Sequence, residues 1–352
     1  MRILRVRSWS ILLIVSYFGV LAASAGAPQA EEDATSGPIP INGPVVISTS
    51  GYYVVTADFV ANGIPAIKLA GSVNASIDFA GHTVSAVGAP VVLAHSVVDD
   101  GGCRTLSMRN GRINGGFGVS SKSNGLDCVA QVQLDRMTVT ATDVYVENGG
   151  LIVTSSTIMN GGIIVRTALG GPPARIEGNR VLFGDITLLG NVGGSIIRNV
   201  VRGAIFVRGT NGHDASSILI ASNIQTGPGG IEIGGFSAEM RTDHVQLLKN
   251  KIGGAVSLIQ AHDSTVELNV IGGCTPSGSS VGVDGERNRV ASNTFNGGCD
   301  HGIEFSAASQ DNGYGYNTFR VYVPVPVLDL GTNNVDLATR DVAEEEGVSE
   351  TP

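Results

Sequence analysis

Six ionisable residues gather near the C-terminal end of a chain in which only 15% of residues are charged: Asp284, Glu286, Arg287, Asp300, His301 and Glu304. Two chemistries use such a set. A pair of carboxylates hydrolyses a glycosidic bond with inversion when one protonates the leaving oxygen and the other activates water, which requires about 6.5–9.5 Å between them. Alternatively, the carboxylates hold Ca²⁺ through oxygen ligands, and Arg287 abstracts a proton as the base of a lyase. Which applies depends on how the chain brings Asp284 to Glu304, and on which faces of which elements they lie.

The elements are written as rows. Asn179, Asn199, Asn223, Asn250, Asn269, Asn293 and Asn317 recur every 19 to 27 residues, each between two short apolar runs. A Gly then introduces a third run, such as Gly230-Ile231-Glu232-Ile233. A period of this size marks a solenoid, and the β-branched alternation without any 3.6-residue periodicity marks strands. Three short strands per turn predict an all-β, right-handed parallel β-helix of ten or more coils, each strand pairing with its counterpart one coil above. The recurring Asn is expected to accept the left-handed backbone of a tight corner and to hydrogen-bond the same amide in the next coil, satisfying groups that would otherwise be buried unpaired. Arg136 and Thr157 replace or shift it in the middle rows, so the ladder should be cleanest after Asn179.

The first coils add a second pattern: Gly51-Tyr52-Tyr53 precedes Ile77-Asp78-Phe79-Ala80-Gly81-His82-Thr83-Val84. With the later Asn rows, this resembles the pectate-lyase-like superfamily of right-handed β-helix repeat proteins over nearly the whole chain after residue 25. The resemblance implies the fold and a polysaccharide on the outer face. It implies no single activity, because that superfamily holds lyases, hydrolases, epimerases and non-catalytic members. The chain lacks the Asn-Thr-Asp, Gly-His-Gly and Arg-Ile-Lys set of polygalacturonases, Asp99-Asp100 standing alone, and the Asp-Pro-His-Asp of alginate epimerases.

In the Gly-led strands the flanking residues point inward and the middle one outward. The outward line reads Tyr145, Ile164, Thr187, Phe206, Glu232, Ser257, Gly282, Glu304. Tyr145 and Phe206 are candidates to stack on sugar rings and Glu232 to hydrogen-bond them, although scattered exposed aromatics are ordinary. Asp284 and Glu304 fall one coil and two residues apart, about 8 Å by strand geometry, inside the hydrolase window. Glu232 and Glu304 are three coils apart, about 14 Å, too far to act together. A second polar row stands six and seven residues before the Asn positions: Asp243-His244, His262-Asp263, Glu286-Arg287 and Gln310-Asp311. Residues of these types bind metals or relay protons, and they also serve as turn residues that satisfy backbone groups.

Cys103 and Cys128 are 25 residues apart, as are Cys274 and Cys299. Equivalent sites on adjacent coils lie about 4.8 Å apart, within the roughly 4.4–6.8 Å that a disulfide spans. The register therefore predicts Cys103–Cys128 and Cys274–Cys299. Zinc is the rival reading, without a C-x-x-C spacing to support it.

Residues 1–25 read as a secretory signal, with Arg2, Arg5 and Arg7, an apolar Ile11–Leu21 and Ala23-Ser24-Ala25. The apolar segment is short for a membrane span, so no stable span is expected after cleavage. Residues 26–41 are expected to be a linker, 42–338 the solenoid and 339–352 a disordered acidic tail. The net charge of −9 becomes more negative once the three arginines leave. That excludes nucleic-acid binding, where phosphates need a basic surface. The sequence thus predicts an exported β-helix that binds a carbohydrate, with cleavage as a lyase or hydrolase, or a non-catalytic envelope or extracellular protein. Ca²⁺ is the candidate cofactor.

Overall fold

The computed structural model describes residues 37–337, apart from 72, 96–103, 116–117, 123–130, 168–171, 191, 211–213, 236–240 and 322. The expected signal, most of the linker, the tail, Cys103, Cys128 and the Asp99-Asp100 pair lie outside the described residues. Those that are described form an all-β solenoid of about 11 parallel turns with no helix.

One coil illustrates why the sequence folds this way. Ala174–Glu177 is a strand of the first sheet, Arg180–Leu182 of the second and Ile186–Leu189 of the third. Each pairs in parallel with its counterpart a coil away: Ile186 opposes Ile163 on one side and Ile205 on the other. Inward positions are mostly Ile, Val and Leu. Val144, Ile163, Ile186, Ile205, Ile231, Val256, Val281 and Ile303 stack along the axis of the core, all buried. A residue pointing inward in one coil thus buries its side chain against the same position above and below, which is how a solenoid grows without a deeper core.

The corner between the second and third sheets needs glycine for a steric reason. A Cβ on Gly184 would lie 1.9 Å from the Gly161 carbonyl oxygen, and one on Gly161 would lie 1.9 Å from that of Thr142. The coils approach each other too closely there for any side chain.

The Asn ladder is present and buried. From Asn179 to Asn293, each backbone N–H and side-chain Nδ2 donates to Oδ1 of the next Asn, at 2.8–3.2 Å. The Nδ2 of Asn250 also donates to the carbonyl of Ile220, so these amides are satisfied on several sides. The expectation that the Asn itself adopts the left-handed conformation is corrected: the residue before it does. Arg198, Ser222, Lys249, Leu268, Ser292 and Tyr316 carry φ of 53–58°. The left-handed residue turns the chain, and the following Asn is then aimed along the axis. In the middle rows Ser156 and Met137 hold the ladder register, rather than Thr157 and Arg136: Ser156 N–H donates to Asn179 Oδ1, and Met137 N–H donates to Ser156 Oγ.

The solenoid also begins earlier than residue 42. Ile39–Ile41 already pairs with Gly51–Val55, so the end of the expected linker is the first strand. In the opening motif, Asp78 accepts hydrogen bonds from the Ala80 N–H at 2.8 Å and from Arg109 Nε at 3.0 Å, tying that strand to the coil above.

Candidate functional site

The outward line on the third sheet is continuous. Tyr145, Ile164, Thr187, Phe206, Glu232, Ser257, Gly282 and Glu304 are successive register partners, and Leu328 continues the line. From Tyr145 to Glu304, all but the glycine project away from the core because their neighbours on either side are core residues.

The middle of this line is internally paired. Arg208 Nε donates to Glu232 Oε1 at 2.7 Å, and the Arg208 guanidinium lies 4.4 Å from the centre of the Phe206 ring. Phe206, Arg208 and Glu232 therefore form one stacked unit, and one ring face of Phe206 is covered by the cation. Tyr145 donates its hydroxyl to Glu147 at 3.0 Å. Burial first, and then the bond to Glu147, hold the Tyr145 hydroxyl above its ordinary pKa, so it remains a hydrogen-bond donor. Tyr145 and Phe206 are separated by three coil spacings, about 14 Å, so they serve separate positions along a ligand.

The C-terminal part of the line is organised by a turn. Thr275–Ser279 is closed by backbone bonds from Thr275 N–H to the Ser279 carbonyl at 2.6 Å and from Gly278 N–H to the Thr275 carbonyl at 3.0 Å. Its hydroxyls interlock, Thr275 with Ser277 at 2.9 Å and with Ser279 at 2.7 Å. The turn lies against the outer face: a Cβ on Gly282 would be 3.6 Å from Ser279 Oγ and 3.7 Å from the Thr275 methyl. Ser277 Oγ donates to Glu304 Oε2 at 2.6 Å. The Cys274–Cys299 disulfide, with its Cα atoms 5.6 Å apart, fastens the start of the turn to the next coil as the register predicts.

The six candidate residues separate into two groups. Glu304 opposes Gly282, and Asp284 lies two residues further along the same strand, facing outward. The pair is therefore one coil and two residues apart, about 8 Å by strand spacing. Asp300 lies beside the turn, its Oδ2 2.8 Å from where a Cβ of Gly278 would be. His301 opposes Ser279, and its Nδ1 is buried with no hydrogen-bond partner among the described residues.

Arg287 belongs elsewhere. It is the left-handed residue (φ 54°) at the corner from the third sheet to the first. It binds Asp263 through two bonds, Nε to Oδ1 at 2.8 Å and Nη2 to Oδ2 at 2.9 Å, and Glu286 through Nη1 at 2.8 Å. The bond to Asp263, and then that to Glu286, raise its pKa further. Arg287 is thus held in its protonated form between Asp263 and Glu286, and no hydrogen bond among the described residues ties it to Asp284 or Glu304.

The second polar row is in register: Asp243 opposes His262, His262 opposes Glu286, and Glu286 opposes Gln310. Its corner neighbours His244, Asp263, Arg287 and Asp311 all have φ of 50–54°, which is the turn role the sequence allowed. Sequence reasoning missed a second ladder just beyond them. Ser264 N–H donates to Asn288, Asn288 to Asn312 and Asn312 to Asn334, at 2.8–3.0 Å. The spacings of 24 and 22 residues were the available signal. It also missed Ser277 and the turn, whose only mark is the run Thr275-Pro-Ser-Gly-Ser-Ser. Among the described residues, no group of three or more His, Cys, Asp or Glu side chains is placed to hold a metal ion.

Comparison with known proteins yields the fold. Tailspike protein 3 of bacteriophage CBA120 superposes with a TM-score of 0.52 at 13% identity, over 91% of this chain and 58% of that one. The chain thus spans just over half the length of that tailspike. The mannuronan C-5 epimerase AlgE6 A-module of Azotobacter vinelandii is similar at a TM-score of 0.43 and 13% identity, over 86% of this chain and 92% of that one. The Dettilon tailspike protein follows at 0.36 and 14%, over 82% and 62%. No family model and no curated protein matches the sequence. The chain is a right-handed parallel β-helix.

Proposed function

We propose that the protein is an exported β-helix that binds a polysaccharide lengthwise along the outward side of its third sheet. The observation that carries this reading is the unbroken register line from Tyr145 to Glu304, which presents one outward position per coil. A repeat of about 4.8 Å per coil is close to the length of a sugar unit, so a linear glycan meets a fresh position at each step. Tyr145 supplies a ring and a hydroxyl, the Arg208–Glu232 pair supplies a charged hydrogen-bonding unit, and Glu304 and Asp284 supply carboxylates. The backbones of Asp284 and Glu304 lie about 8 Å apart by strand geometry, which leaves room for the carboxyl separation of an inverting pair, so hydrolysis between them is the catalytic extension of the same reading. Ca²⁺ held by these carboxylates is the alternative to that extension rather than part of it, and among the described residues no three His, Cys, Asp or Glu side chains are grouped to hold it.

The test is binding of the purified protein to a polysaccharide panel, with reducing ends and unsaturated products assayed with and without Ca²⁺. Saturable binding to at least one linear polysaccharide is expected. No binding to any member overturns the reading. Binding without products removes the catalytic extension and leaves a non-catalytic glycan-binding protein.

A further inference from the structure

The turn Thr275–Ser279 stands directly over part of the proposed face. Its Ser279 hydroxyl and Thr275 methyl would lie in van der Waals contact with a Cβ on Gly282, at 3.6 and 3.7 Å, and Ser277 holds Glu304 Oε2. The backbone and hydroxyl bonds within the turn are internal to it. Apart from the strand that follows it, its ties to the next coil are few: the Ser277–Glu304 bond, the Gly278 carbonyl accepting His301 N–H at 3.1 Å, and the covalent Cys274–Cys299 link. Cys299 is buried and Cys274 is exposed, so the attackable sulfur is on the turn side.

We propose that the turn is a strap over Glu304 latched by the Cys274–Cys299 disulfide, and that reduction of that bond uncovers the carboxylate. The reductant is a dithiol. Its first thiolate attacks Cys274 Sγ, breaking the S–S bond and releasing Cys299 as the thiolate, which takes up a proton. Its second thiol displaces Cys274 as a thiol and closes the reagent into its cyclic disulfide. Two electrons and two protons pass from reagent to protein, and no other bond of the protein changes. With Cys274 released, the start of the turn loses its covalent anchor, and the single hydroxyl bond of Ser277 competes with water at a partly exposed carboxylate. That the uncovered stretch serves a glycan rests on the function proposed above; the latch itself does not.

The experiment reads carboxylate accessibility without any glycan. The intact chain is treated with a carbodiimide and glycine ethyl ester, with and without prior dithiothreitol, and labelling of Glu304 is quantified by peptide mass spectrometry against that of the exposed Asp311. Reduction is expected to raise the relative labelling of Glu304 severalfold, and to speed amide exchange at Gly278 and Ser279. Ser277→Ala should raise Glu304 labelling in the oxidised protein while leaving those amides protected. Cys274→Ser with Cys299→Ser should match the reduced protein, which itself serves if that variant does not fold. Unchanged Glu304 labelling after the bond is shown to be reduced overturns the latch. Opened labelling with no glycan bound in either state leaves the latch standing and sinks the glycan reading instead.

Discussion

Arg287 and Asp263 face each other across adjacent coils in a two-pronged pair, Nε to Oδ1 at 2.8 Å and Nη2 to Oδ2 at 2.9 Å. The guanidinium is the main reason that the Asp263 carboxyl sits below its ordinary pKa. A carboxyl with a depressed folded pKa stabilises the fold at all pH above its unfolded value, and that contribution is lost as pH falls through the folded value. Melting temperature should therefore drop on acidification below the ordinary carboxylate range. In Asp263→Asn it should start lower at neutral pH and fall less steeply; a melting series against pH checks both, and parallel curves would refute the assignment.

Asn250 sits in the interior of the ladder, bonded to Asn223, Asn269 and two carbonyls. Replacing it by Ala leaves the buried Asn223 N–H without its acceptor and takes a donor from the Ile220 carbonyl and from Asn269 Oδ1, at a cost of about 1–3 kcal/mol. Asn317, at the ladder's end and only partly buried, should cost less on the same change. Chemical denaturation of the two variants side by side tests the order.

Gly184→Ala places a methyl 1.9 Å from the Gly161 carbonyl oxygen, a backbone atom that cannot swing away. The coils must separate locally, and overpacking of this kind costs about 1–3 kcal/mol. Gly43→Ala meets nothing within 4 Å and should leave the melting temperature nearly unchanged.

Loss of the Cys274–Cys299 bond frees a loop of 25 residues in the unfolded chain. Loop-closure entropy puts the destabilisation at about 3.5 kcal/mol, measured as the shift in denaturation midpoint on reduction. Because a solenoid is held coil by coil, amide exchange should accelerate around residues 272–305 before it does in the N-terminal coils.

Asp284→Asn together with Glu304→Gln should abolish any glycan hydrolysis while moving the melting temperature little, since both side chains lie on the outer face and such substitutions are usually within about 0.5 kcal/mol of neutral. Full activity in the double variant would move the chemistry to another part of the face, with the Asp243–His262–Glu286 row next in line.

What the sequence determined by itself was most of what repeats, the second ladder through Asn288, Asn312 and Asn334 excepted. A solenoid is nearly one-dimensional: each residue's main neighbours are its counterparts one period away. The Asn rows, the inward Ile and Val stacks, the outward line from Tyr145 to Glu304 and the Cys274–Cys299 pairing could therefore be read by aligning short segments. The tertiary structure decided what happens where the rows stop being equivalent. Arg287 looks in sequence like a companion of Asp284 and Glu304, but its left-handed backbone turns it round the corner to Asp263. Glu232 and Phe206 look like free ligands for a sugar, but Arg208, two residues beyond Phe206 and one coil from Glu232, claims both. Ser277 lies in a turn of no fixed period, and only the folded chain lays it on Glu304. Strand register is fixed by the pleat and the core, whereas a long polar side chain at a corner has several partners within reach, and its choice depends on three-dimensional distances that no spacing encodes.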